Sequence, residues 1–226
     1  MVVLFSSCET LMNTTGGVYG GGGITQQEAS TGIRQALSQG VNRGITYLNK
    51  TDGFFGNEAY KLFLPAEAQR IESTLRSIGL GSQVDRAILQ INRAAEDAVG
   101  YAKPIFVEAI TEMTLQDALN IVRGPKDAAT EYFRQKTNEK LIAAFSPVIK
   151  SSLDKLSATR YYTDIVNTYN KLPTTFNKVN PDLTSYVVEK ATVALFDQIA
   201  KEEANIRENP VARTTEILRK VFGTRS

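Results

Sequence analysis

The side chains best placed to do chemistry in this chain are carboxylates, because it contains no histidine. The usual general base, proton shuttle and commonest metal ligand are therefore missing together, and Ser-His-Asp, Cys-His and zinc chemistries are excluded. On a helical wheel of the segment 180–209, Val188, Ala191, Leu195, Ile199 and Ile206 share one face, with Glu202 near its middle. A lone carboxylate there costs several kcal/mol unless it is paired, protonated or open to a cavity. Arg134, Arg207 and Arg213 are its candidate partners. In an earlier segment Asn92 and Glu96 lie at the edge of an apolar stripe, whereas Arg93 points away from it. Asn92, Glu96, Arg134, Thr137, Glu202, Arg207 and Arg213 are thus expected to form a buried polar cluster or to line a ligand cleft.

Three uses of such a cluster differ in geometry. It can fix helix register, present convergent polar groups to a ligand, or act on a glycan with Glu96 or Glu202 as general acid. The last needs two carboxyl groups about 5–9.5 Å apart across an open cleft, whereas a guanidinium against each carboxylate in a closed core speaks against it. Arg93 with Asp97, Glu203 with Arg207 and Glu216 with Lys220 have the four-residue spacing of exposed ion pairs, worth a few tenths of a kcal/mol each. A ferritin-like di-metal site needs Glu-x-x-His pairs, and Asp52 and Glu58 lack the spacing of a calcium loop. No metal, cofactor or catalytic residue is assigned.

These groups must be positioned by helices. Thr25 and Glu28 form a capping box, after which Ile33, Leu37, Val41, Ile45 and Leu48 recur at helical spacing to about Lys50. Thr51 to Asn57 breaks the pattern with two glycines, and Leu64-Pro65 opens a second helix with the stripe Ile71, Leu75 and Ile78, stopped at Gly79 and Leu80. A third helix begins near Ser82 and buries Val84, Ile88, Ile91, Ala95 and Ala98; Pro104 separates it from the segment 105–113. Thr114 with Asp117 starts a short helix that Gly124-Pro125 ends. Over 127–156 the apolar face moves from Ala129, Tyr132 and Phe133 to Leu141, Phe145 and Val148, which predicts a break near Thr137 and a perturbation at Pro147. Tyr161, Ile165 and Tyr169 mark another stripe, and Asn180-Pro181 and Asn209-Pro210 each cap one of the last two helices. No segment alternates with a two-residue period between hairpin turns. The fold class is all-α: a single-domain multi-helix bundle over residues 24–226.

Residues 1–23 read differently. Met1 to Phe5 is apolar, Ser6 and Ser7 are small, and Cys8 is the chain's single cysteine. That order resembles the end of a lipoprotein signal, although Phe5 stands where an aliphatic residue is usual and the basic region and most of the apolar region are missing. Cys8 is the expected lipidation site; the alternative is a cytosolic terminus with an incidental cysteine. The glycines from Gly16 to Gly23 have no preceding strand and no following Gly-Lys-Ser/Thr, so they are not a phosphate loop. They read as a flexible tether, and the sixteen residue steps from Cys8 to Ile24 have an r.m.s. span of roughly 20–24 Å.

With 226 residues the chain suits one domain, of a size that buries about 70% of its unfolded surface. Twenty-six basic and twenty-four acidic residues are mixed along it for a net charge of +2, so the electrostatic footprint of nucleic acid binding is absent. No apolar run is long enough to span a bilayer, which leaves the N-terminal lipid as the expected contact with a membrane.

Several stretches together resemble one family. Thr51-Asp-Gly-Phe-Phe55, Asn92-Arg-Ala-Ala-Glu96, Ala129 to Arg134 with Thr137, Ile199 to Glu203, Ile206-Arg207, Asn209-Pro210, Arg213-Thr-Thr215 and Val221-Phe-Gly223 are similar to the bacterial domain-of-unknown-function 4197 family. The resemblance spans about residues 24–223 and implies an exported bacterial protein, but supplies no activity. The expectation is a periplasmic, lipid-anchored module of the envelope that binds a protein or small ligand, with a cytoplasmic location as the alternative. A carboxylate-only enzyme on an envelope glycan and a purely structural helical protein are the competing readings.

Overall fold

The first helix, α1 (Gln26–Leu48), starts where the capping box places it. The Glu28 amide donates to Thr25 Oγ1 at 3.2 Å and the Thr25 amide to Glu28 Oε2 at 2.9 Å. A computed structural model describes residues 25–65, 68–77, 79, 81–155, 159, 162–163, 166–167, 170–171, 178, 180 and 182–223. The expectations for Cys8, the glycine-rich tether, Ile78, Leu80, Tyr161, Ile165, Tyr169 and Pro181 lie outside the described residues.

After α1 come α2 (Gln69–Ser77), α3 (Gly81–Val99), α4 (Ala102–Thr111), α5 (Leu115–Arg123), α6 (Ala128–Lys155), α7 (Leu183–Glu208) and α8 (Glu216–Gly223). The described residues contain no strand, and no helix among them is long and apolar enough to cross a membrane. The domain is all-α.

Helix α1 presents small residues to its neighbours. Gly44 lies against Ile199 and Gln198 and Gly40 against Glu202, so α1 and α7 run antiparallel at close range. Gly32 meets Val221 of α8. Helix α6 is antiparallel to α7 in turn: its first turn meets Glu203, and Arg134, further along, meets Phe196. Phe106, Phe133 and Phe196 join α4, α6 and α7 edge to face, with centroids 4.9 Å and 6.2 Å apart, a geometry favoured by the ring quadrupoles.

The structure corrects several local expectations. Helix α6 does not break at Thr137. Ala129, Phe133, Thr137, Leu141, Phe145, Ile149 and Leu153, each four residues from the last, are all buried, and this row winds along the whole helix. Thr137 Oγ1 satisfies itself on the Phe133 carbonyl at 2.7 Å. Pro147 deprives the helix of one amide, yet Phe145 and Ile149 on either side are fully buried and hold it in place. Pro104 sits in the first turn of α4, where an amide has no helical partner, rather than between elements. The cap of α7 is Asp182, which accepts from the Ser185 amide at 3.0 Å; Asn180 accepts from the Asp182 amide at 2.9 Å. Asn209-Pro210 opens only the 3-10 turn Pro210–Ala212, and Thr215 Oγ1 accepts from Leu218 at the start of α8. Pro65 precedes α2 by four residues rather than opening it.

Candidate functional site

Residues 49–65, between α1 and α2, hold the first group of candidate side chains. Asp52 has φ 64°, a left-handed conformation that aspartate tolerates better than most residues. A Cβ on Gly53 would stand 2.2 Å from the Leu48 carbonyl oxygen, so only glycine fits there. The turn thus made drops Phe54 into the core and aims two amides at α3. Glu96 Oε1 accepts from the Phe54 and Phe55 amides at 3.0 Å and 3.1 Å, and its Oε2 accepts from Arg93 at 2.7 Å. Arg93 also donates to Asp52 at 2.8 Å. One turn earlier Asn92, fully buried, accepts from the Leu62 amide and donates to the Leu62 and Ile88 carbonyls. Asn92 and Glu96 are therefore brought together as ties on one connection, and Arg93 pairs with Glu96 and Asp52 rather than with Asp97.

A second tie reaches this connection from α7. Tyr60 donates towards Asp197 at 2.7 Å and Gln198 at 3.0 Å, while Lys201 donates to the Tyr60 oxygen at 2.8 Å and pairs with Asp197 at 2.8 Å. Burial pushes the Tyr60 hydroxyl up to about 12, with Lys201 opposing and Asp197 assisting. Burial also pushes the Asp197 carboxyl up, but Lys201 and Tyr60 outweigh it and hold it below its usual range. A phenol so placed keeps its proton through neutral pH, and the group serves as a bridge.

The remaining candidates separate. The buried carboxylate of α7 is Glu203 rather than Glu202. It accepts from the Ala129 and Thr130 amides at 3.0 Å and 2.9 Å, from Thr130 Oγ1 at 2.8 Å, and from Arg207. Glu203 thereby caps α6 from outside its own helix, an anion on the positive end of the helix dipole. Its pair with Arg207 is buried, with side-chain exposures of 7% and 10%, rather than exposed as the spacing suggested. Arg207 also donates to the Ile121 carbonyl at 2.9 Å. Glu202 instead faces α1, with Arg43 at 3.8 Å, too far for a hydrogen bond, and Gln198 at 3.4 Å; its Oε2 has no hydrogen-bond partner. None of Arg134, Arg207 or Arg213 is its salt-bridge partner. Arg134 pairs with Glu131 at 3.1 Å and lies 4.7 Å over the Phe196 ring. Arg213 donates to the Ile206 and Arg207 carbonyls, closing the C-terminus of α7. Lys220 pairs with Glu28 rather than Glu216.

Helix α7 is buried on two sides, and this explains the exchange of Glu202 for Glu203. Ile199 and Ile206 of the stripe read from the sequence face α1, whereas Phe196 and Glu203, seven residues apart, face α6. Nothing in α7 alone distinguishes the two glutamates; what does is the start of α6, whose Ala129 and Thr130 amides donate to Glu203.

Two concavities accompany these ties. A cavity of about 30 Å³ inside the bundle is lined by Gly40, Phe133, Ile206, Glu203 and Arg207, room for about one water. A groove of about 450 Å³ runs between α1 and the C-terminal segment past Arg34, Gln35, Gln39 and Thr215. Gln39 donates to the Ala212 carbonyl at 2.8 Å and Gln35 accepts from Thr215 at 3.0 Å, so groups along it bind the two segments together. Among the described residues no three His, Cys, Asp or Glu side chains converge as a metal site.

Fold and site together define an all-α domain whose interior polar side chains cap helices and pin one long connection. The chain belongs to the family described as "Protein of unknown function (DUF4197)", which it matches over residues 23–223. No curated protein and no solved structure matches it.

Proposed function

We propose that this chain is a non-enzymatic interaction module of the bacterial envelope, held at a membrane by a lipid on Cys8. The observation that carries the reading is the engagement of Glu96 and Glu203, the two buried glutamates among the described residues. Glu96 is enclosed by Arg93 and two amides, and Glu203 by Arg207, two amides and a hydroxyl. A general acid needs a face open to substrate at hydrogen-bond distance; Glu96 Oε1 and both Glu203 oxygens each accept at least two hydrogen bonds from the protein, and Glu96 Oε2 is held by Arg93. The small residues Ser6 and Ser7 before Cys8, and the glycines after it, support the anchor.

Palmitate labelling of bacterial cells expressing the protein tests the anchor. Label is expected on the chain, lost with Cys8→Ser as the protein moves from the membrane to the soluble fraction. An unlabelled chain in the cytosolic fraction would overturn it. Incubation with peptidoglycan and other envelope glycans is expected to give no cleavage; cleavage abolished by Glu96→Gln would make the protein an enzyme.

A further inference from the structure

Helix α8 is fastened to the rest of the bundle chiefly along its seam with α1. The two helices run antiparallel: Lys220 pairs with Glu28, Val221 and Ile217 lie on Gly32, Thr215 bonds Gln35 and Thr214 bonds Gln39. The polar contacts of the seam are at the surface, with Lys220 and Glu28 42% and 40% exposed and both threonines exposed. Its apolar contacts come from Leu218, fully buried, from Val221 and Phe222, and from Ile217 at the margin. Arg207 of α7 meets Phe222 only from 5.9 Å above its ring. Empty space borders the helix on two flanks: the groove of about 450 Å³ beside Thr215 and Leu218, and the cavity of about 30 Å³ behind Phe222.

The chain before α8 is fastened differently. Arg213, itself buried, donates to the Ile206 and Arg207 carbonyls at 3.1 Å and 2.8 Å, and the Ala212 carbonyl accepts from Gln39 at 2.8 Å. The turn after α7 is therefore fixed as far as Arg213. Thr214 and Thr215 alone separate it from Glu216, the first residue of α8, and neither is helical. Two such residues at the end of an element are enough for a hinge. A helix of eight residues does not hold its shape alone in water, so α8 depends on its seat and leaves it as one unit. At that seat it lies on bare backbone. A Cβ on Gly32 would stand 2.7 Å from Val221 Cγ2 and 3.5 Å from Ile217 Cγ1, and the atoms nearest to it all belong to α8.

We propose that α8 is a lid, hinged at Thr214 and Thr215, that opens while the rest of the bundle stays folded. Opening takes away the Phe222 wall of the cavity and leaves an apolar cleft between α1, α5, α6 and α7, lined by Ile33, Leu37, Ile121, Phe133 and Ile206. The lid depends neither on the anchor nor on the absence of catalysis proposed above. Hydrogen–deuterium exchange of the full chain in low urea tests it. The Lys220, Val221 and Phe222 amides are expected to exchange at one common protection, faster than those of Leu195 and Phe196 in α7 and with a weaker dependence on urea. Gly32→Ala drives its methyl group into α8 and should speed the three amides about 5- to 150-fold. Lys220→Gln, which breaks the surface pair with Glu28, should speed them about two- to fivefold. Gly53→Ala weakens the bundle far from the lid, so it should speed the α7 amides and leave those of α8 at the parental rate. Exchange of α8 as slow as that of α7, with the same dependence on urea, overturns the proposal. So does an equal rise in both helices with Gly53→Ala, which would make α8 part of the global unit. Protection that falls residue by residue towards Gly223 and ignores Gly32→Ala also overturns it, since the end would then merely fray.

Discussion

Glu96 and Glu203 perform the same operation at two places: each presents its carboxylate to two consecutive amides of a segment far away in the chain and is held by an arginine of its own helix. Removing such a group strands buried donors and, for Glu203, a buried cation as well, whereas Arg93 is 34% exposed and keeps Asp52. Glu96→Ala is therefore expected to cost about 1–3 kcal/mol for each of the two amides left unpaired, measured by urea denaturation. Glu96→Gln, which keeps an oxygen for the Phe54 and Phe55 amides, should lose about 1–3 kcal/mol; equal losses would show that the amides contribute nothing. At the surface, the Thr25 amide, the Lys220 ammonium and the Thr25 hydroxyl hold the Glu28 carboxyl down to about 2 from its usual 4.5. Because its folded value lies below its unfolded one, the stabilisation is present above pH 4.5 and lost as pH falls towards 2. Melting curves of the parent and Glu28→Gln should accordingly differ at pH 6 and converge near pH 2. At this scale the sequence marked Glu96 and Asn92 as out of place in an apolar stripe, which they are. It chose Glu202 over Glu203, and wrongly, because what decides is the neighbouring helix α6, whose first-turn amides Glu203 takes.

Among the elements, those that begin on their own chemistry were legible and those shaped by neighbours were not. The capping boxes at Thr25 and Thr114 use residues three positions apart and form as the spacing predicts. The continuity of α6 past Thr137 and Pro147 is set by packing against α3, α4, α5 and α7, a tertiary effect that outweighs propensity. The connection after α1 rests on sterics that a count of glycines only hints at. Gly53→Ala forces a methyl group onto the Leu48 carbonyl and should cost about 1–3 kcal/mol. Gly79→Ala, at φ 84° with no atom within 4 Å of the new methyl, carries only left-handed strain of about 1 kcal/mol. Thermal melts of the two variants should rank them in that order.

For the whole molecule, the all-helical class followed from periodicity, because amphipathic stripes are written in consecutive residues. The antiparallel stacking of α7 between α1 and α6 was not, because it depends on which of its two buried sides meets which partner. The ties are what make this stack one unit. The amides of Phe54, Phe55, Ala129 and Thr130 lie at a turn or a helix start, where such groups ordinarily trade protons with water within the local opening of a loop or a frayed end. Here their acceptors belong to α3 and α7, forty or more residues away, and letting go of them requires those helices to part. In hydrogen–deuterium exchange these four amides are expected to be as slow as those flanking Leu141 at the centre of α6, and to share their dependence on denaturant. Exchange at ordinary loop rates would show that the ties open independently of the fold. If they do not, two glutamates have moved the slowest-opening part of the protein out to its loop and its helix end.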